Sequence, residues 1–259
     1  MGTLNLSKLN LEAENLLHRE QLPMQKTITT LLFVLVQTLV FSQTIEVGFD
    51  VKVYKKKGVL GNVSEFTQAV YQKLDSLEFK LVFNEQKSIF KPSKQSGNWR
   101  ERQIEKAARL FPVGLTHTYM YNLKTQSCFQ IKSFANTDYV VQSKYIPLEW
   151  ELSKKQKLIF GHKCFKATTF ISRTDRLGQT EDIQVTAWYT PDFPQPFGPK
   201  DYVGLPGVIL ELHEGVERIS FITNSILVNP SGEILDFPMD VKTISEKEFD
   251  EIVTGKSSN

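Results

Sequence analysis

The chain has 259 residues, with 31 Lys and Arg against 29 Asp and Glu, a net charge of +2 and a hydrophobic fraction of 41%. That balance offers no basic field for nucleic acid and no acidic tail, and the apolar fraction is that of an ordinary globular protein. After the apolar run 28–41 no further stretch approaches the length of a membrane span.

In chain order, the N-terminus comes first. Lys26 precedes the run 28–41, which is too short for a comfortable span and ends in Ser42-Gln43. A basic start, an apolar centre and small residues at the cut describe a secretory signal peptide over 24–42, with cleavage before Gln43. Residues 1–23 are then an over-extended start or leader. Residues 43–259 form a single β-rich domain, exported to the periplasm or beyond and without a stable membrane span. No cysteine lies near the cut, so a lipid anchor is not expected.

Ile45, Val47, Phe49, Val51 and Val53 alternate at period two, which predicts a strand ending at the turn around Gly58. Helical spacing of Phe66, Val70, Leu74 and Leu77 predicts a helix over 64–76. Strands are expected at 79–84 and 88–91, a loop at 92–98, and a short helix at 100–111 stopped by Pro112 and Gly114. From Thr116 the reading is almost wholly β: 116–123, 127–134, 139–143, 149–152, 163–172, 183–190, 208–213 and 218–228. Ser245 and Glu248 form a capping-box pattern ahead of a last helix through Phe249 and Ile252.

The segment 187–215 is the most distinctive. Pro191, Pro194, Pro196 and Pro199 each fix φ and remove a donor, so the chain is expected to run extended over the surface between two strands. Leu205-Pro206-Gly207-Val208 fits a type II turn with Gly207 at the position that needs positive φ, and Gly204 permits close backbone packing. Gly204, Leu205, Pro206 and Gly207 are therefore read as a structural turn. Trp188, Phe193, Phe197 and Tyr202 are the candidate binding residues, because aromatics on a rigid loop suit a ligand or a partner.

Gly204-Leu205-Pro206-Gly207-Val208-Ile209 resembles the signature of the GLPGLI family of exported proteins from bacteria of the Bacteroidetes type, with Val208 in place of the usual Leu. Trp150, Leu152, Gly161, Cys164, Lys166, Ala167, the run Ala187-Trp188-Tyr189-Thr190, Gly198-Pro199 and Tyr202 follow the family's order and spacing. The resemblance covers 147–229. It implies an exported β-rich fold and carries no established activity or catalytic residue.

The expected fold class is β-rich α+β. A curved antiparallel sheet of eight to ten strands with a few covering helices forms a half-barrel, similar by analogy to periplasmic lipoprotein carriers, since a twisted sheet that wide must curl or split. Cys128 and Cys164 are disulfide candidates across neighbouring strands of an exported protein. His162 and Cys164 share a strand face but make half a metal site at most, so no metal or other cofactor is expected. No G-x-S-x-G elbow, phosphate loop or dinucleotide fingerprint is present, and Ser220 carries no local activating pattern. The sequence therefore points away from an enzyme and towards an exported binding or carrier protein for an apolar ligand. The alternative is an accessory or scaffold subunit docking on an outer-membrane transport or assembly complex. A hydrolase whose residues converge only in three dimensions is the third reading.

Overall fold

Alternation of buried and exposed side chains sets the strands. In β1 (Ile45–Val53), Val47, Phe49 and Val51 are buried, whereas Asp50 and Lys52 face solvent. The computed structural model describes residues 43–54, 64–93, 97–110, 115, 117–135, 137–174, 179–215, 219–230, 235 and 243–255. The expected leader, signal peptide, turn at Gly58 and helix stop at Pro112 and Gly114 lie outside these residues.

β2 (Glu78–Phe83), β3 (Lys87–Pro92), β4 (Thr118–Asn122), β5 (Ser127–Phe134) and β6 (Thr137–Lys144) continue outward from β1 as an antiparallel meander. A second meander comprises β7 (Glu151–Ile159), β8 (His162–Thr174), β9 (Thr180–Thr190), β10 (Val208–Glu214) and β11 (Ile219–Val228). The two join where β11 pairs antiparallel with β1. A short β12 (Thr243–Ser245) adds a parallel pair to β6. The result is one 12-stranded sheet in the order β12-β6-β5-β4-β3-β2-β1-β11-β10-β9-β8-β7, curved and open between β12 and β7.

The expected sheet was narrower by two to four strands, and the difference has local causes. β7 reaches Ile159, well beyond the expected end at Leu152, because its SKKQK centre is exposed and gives no apolar alternation. β12 is too short to show a period. β3 continues into Pro92, in the expected loop. β4 pairs with β3 only as far as Phe90, so the proline sits where no donor is missed.

Three α-helices lie among the described residues: α1 (Glu65–Lys73), α2 (Trp99–Leu110) and α3 (Glu246–Thr254). The Ser64 Oγ caps α1 by accepting from the Thr67 amide at 3.2 Å. Ser245 and Glu248 form the expected capping box of α3. Val70 of α1, Ala108 of α2 and the following Leu74 and Leu77 are buried with the inner face of the sheet. There Phe49, Phe79, Phe90 and Phe221 pack ring against ring, with Phe79 and Phe90 stacked at 5.3 Å. Burial of each such ring contributes roughly 1.5–3 kcal/mol. On the outer face a smaller cluster joins Ile89, Met120, Phe129 and Val140.

β7 and β8 are joined by the two-residue turn Phe160-Gly161, with φ of 49° and 81°. Positive φ at both positions defines the hairpin turn that favours Asn-Gly. A phenylalanine there is strained, because the left-handed region pushes its Cβ against the backbone. The substitution Phe160→Asn is expected to raise the unfolding free energy by about 1 kcal/mol. Urea unfolding checks this; a variant less stable than the parent would show that the Phe160 ring contributes packing that outweighs the strain.

Candidate functional site

The proline-rich segment folds inward. Phe193 and Phe197 both pack on Phe83 of β2, at ring distances of 6.0 and 6.2 Å, and Tyr202 packs on Trp150 at 6.5 Å. Phe197 and Tyr202 are 0% and 1% exposed. This corrects the expected binding role of those two residues: they fill the inner face instead of meeting a partner. Phe193 remains half-buried, with His162 at 4.8 Å on its other side. Trp188 lies on the opposite face from Ala187 and is half-buried beneath the Lys157 ammonium, 4.4 Å from its ring centroid. The four candidates therefore do not converge on one surface.

The expected type II turn is also corrected. The Val208 amide donates to the Phe193 carbonyl at 2.9 Å, not to Leu205, so the turn bond is absent. Positive φ falls on Gly204, at 103°, while Gly207 does not have it. Gly207 is demanded by proximity, since a Cβ there would lie 2.1 Å from the Thr190 carbonyl oxygen. At Gly204 a Cβ would meet Pro147 at 2.8 Å and the Leu148 backbone at 3.2 Å. That close approach lets the link 145–150 lie against the loop, where Leu148 N and Trp150 Nε1 both donate to the Val203 carbonyl, at 3.3 and 3.0 Å. Lys200, left-handed at φ 56°, sends its ammonium to Glu214 of β10 at 2.7 Å, a pair that is 4% and 1% exposed. Loss of either partner would leave a buried charge uncompensated.

The two cysteines do not pair. Both thiols are free and buried, and their strands β5 and β8 are not neighbours in the sheet. Cross-strand bridging needs adjacent strands, which fixes the Cα separation. Cys128 meets the side chains of Tyr121, Ser143 and Gln130, and burial pushes its thiol pKa up against those hydrogen bonds. Burial likewise raises Cys164 to about 11, so neither is a ready nucleophile. His162 Nδ1 is engaged by Asp192 at 2.8 Å rather than acting beside Cys164. Among the described residues no group of three or more His, Cys, Asp or Glu is placed to hold a metal ion.

Sequence reasoning missed one network. On the outer face, Glu211 Oε1 accepts from Lys157 Nζ at 2.6 Å and lies 2.7 Å from His213 Nε2, while His213 Nδ1 lies 2.7 Å from Ser220 Oγ. Burial would raise the Glu211 carboxyl, but the hydrogen bonds from His213 and Lys157 outweigh it and hold its pKa below the usual range. An ionised Glu211 accepts only, so His213 Nε2 donates to it, and the other ring nitrogen, Nδ1, hydrogen-bonds the Ser220 hydroxyl. The order of groups is that of a serine hydrolase. Two other requirements are missing. Ser220 is 1% exposed, and its strand pairs on both sides with β1 and β10, which leaves no free amides to stabilise an oxyanion. The arrangement locks three strands together. Glu211 and His213 share a face by period two, a legible signal, but Ser220 joins them only through the β10–β11 register.

What the fold does expose is the β7–β8 end. Leu152, Leu158, Phe160 and Phe170 are more than half exposed on this hairpin. From Leu152 to Thr174 the sequence carries Lys154, Lys155, Lys157, Lys163, Lys166 and Arg173 and neither Asp nor Glu. β7 is also an edge strand, and its lysines and the irregularity between Leu152 and Gln156 oppose pairing with a further strand.

At the other end of the sheet, His117 precedes β4 among Lys132, Glu246, Lys200 and Asp201. Burial first, then the Lys132 charge, depresses its pKa to about 4. The unfolded chain, titrating near 6.5, binds this proton before the folded one, so stability falls as pH drops from about 6.5 to about 4 and levels off below. The expected loss is about 2 kcal/mol after allowance for partial exposure. Urea unfolding of the parent and of His117→Gln at pH 7 and pH 4 checks this: the variant should lose less stability, and equal losses would contradict the assignment.

A family model described as a protein of unknown function, Porph_ging, matches residues 171–211, from within β8 into β10. No curated protein matches the chain. Among solved structures it is similar to PNGF-II in a C2 crystal form, with a TM-score of 0.50, 14% identity, 82% of this chain covered and 33% of that one. The P21 form gives 0.49, 14%, 82% and 33%. The chain thus spans about a third of the length of the PNGF-II structures, and at that identity the likeness is one of fold.

Proposed function

We propose that this chain is an exported, non-enzymatic docking protein of the GLPGLI type, held at the cell envelope through the β7–β8 end of its sheet. The observation that carries the reading is the hairpin that combines exposed Leu152, Leu158, Phe160 and Phe170 with a run of lysines and, beyond Glu151 at the start of β7, no acidic residue as far as Thr174. Isolated surface apolar residues need no explanation, but several on one cationic hairpin fit a contact surface. Export is supported by the basic and apolar character of 24–42. Carriage of an acyl chain inside the curve has less support, because the protein's own aromatic side chains, α1, α2 and the 191–207 loop occupy the inner face.

The test uses the full chain expressed with its leader in a host with two membranes, followed by separation of envelope from soluble fractions. The parent is expected in the envelope, and a Lys154→Glu, Lys155→Glu, Leu158→Ser, Phe160→Asn variant is expected in the soluble fraction with unchanged folding. Parent protein that is wholly soluble, or a variant retained as well as the parent, would overturn the reading.

A further inference from the structure

We infer that the surface met by the β7–β8 hairpin is an anionic lipid bilayer, into whose headgroup region the tip residues Leu158 and Phe160 insert. This rests on the docking reading above and names its partner.

The shape of the tip carries the first part of the argument. A two-residue turn is narrow and convex, and the space beside it is open: a Cβ built on Gly161 meets nothing within 4 Å. Leu158 and Phe160 are 73% and 55% exposed at that end. A protein partner would have to offer a matching pocket for such a projection, whereas a bilayer interface yields to it.

Charge carries the second part. Lys163, exposed, pairs across from Leu158 beside the tip, and the exposed Lys154 and Lys155 lie further back on β7 in the irregularity between Leu152 and Gln156; among the described residues no carboxylate pairs with them. Lys157 is engaged by Glu211, and the neighbouring Asp192 is engaged by His162. Long lysine stems lie along apolar surface while their ammonium groups reach the phosphates, so cations flanking an apolar tip suit insertion at headgroup depth.

The conformation of Phe160 carries the third. Its left-handed backbone is one that Asn or Gly adopts with less strain, so the turn conformation supplies no reason for a large apolar ring at this position. A ring that enters lipid does. Strain and exposure at one residue are then both accounted for by its contact.

Flotation of the purified chain from Gln43 onward with vesicles of phosphatidylcholine alone, or with added phosphatidylglycerol, tests this. Binding is expected to be at least tenfold tighter to the anionic vesicles and to weaken as salt is raised. Phe160→Asn, which is expected to fold more stably, should bind roughly tenfold more weakly. Reversal of Lys154, Lys155 and Lys163 to Glu should reduce binding by about a hundredfold or more. Equal binding to both vesicle types, no binding to either, or a Phe160→Asn variant that binds like the parent overturns the lipid assignment. If vesicles fail while envelope retention still depends on the hairpin, the partner is an acidic protein and the docking reading stands. If hairpin-dependent retention fails as well, docking falls with it.

Discussion

The short link between β6 and β7 dictates the form of this protein. β6 is second and β7 last in the order of a 12-stranded sheet. At ordinary strand spacing they would stand roughly 48 Å apart if the sheet were flat, yet the link 145–150 reaches roughly 25 Å fully extended. The sheet must curl until one side approaches the other. Curvature here is forced by connectivity as well as by the natural twist of strands, and the inner face it creates has to be filled.

The 191–207 loop answers both demands. Its Phe193 and Phe197 fill the inner face against Phe83, and its Val203 carbonyl holds Leu148 and Trp150 of the link. Gly204 clears the path for Pro147 and Leu148, and Gly207 lets the chain re-enter β10 against the Thr190 carbonyl. The glycines and aromatics that mark this segment in the sequence thus serve as a clasp and a plug. With the inner face occupied, the exposed apolar side chains lie elsewhere, and among the described residues the β7–β8 hairpin carries four of the large ones.

The legibility of the sequence follows the same division. Strands with one buried face announced themselves by period two: β1 was readable residue for residue, and so was the general antiparallel architecture. β7 was truncated because an edge strand lacks the buried face that produces the signal. The proline segment was readable as extended and architectural, but not as internal, since an aromatic outside a regular strand looks the same whether it covers a core or meets a partner. Pairings that depend on register or long-range topology were out of reach: Ser220 with His213, Lys200 with Glu214, and the separation of Cys128 from Cys164 by intervening strands. The exposed hairpin was hidden for a related reason. Leu158 and Phe160 fall between the expected strands 149–152 and 163–172, and only the extended β7 and the sheet order place them at an edge.

The central claim is that the loop is an internal clasp and not a surface element that binds ligand. Native-state hydrogen exchange at the amides of Gly204, Val208 and Ile209 tests it most directly, because these donate to Pro196, Phe193 and Phe197 carbonyls within the loop. They are predicted to exchange only on global unfolding, as slowly as amides of the central strand β1. Exchange at the rate of an exposed loop, with β1 still protected, would contradict the account.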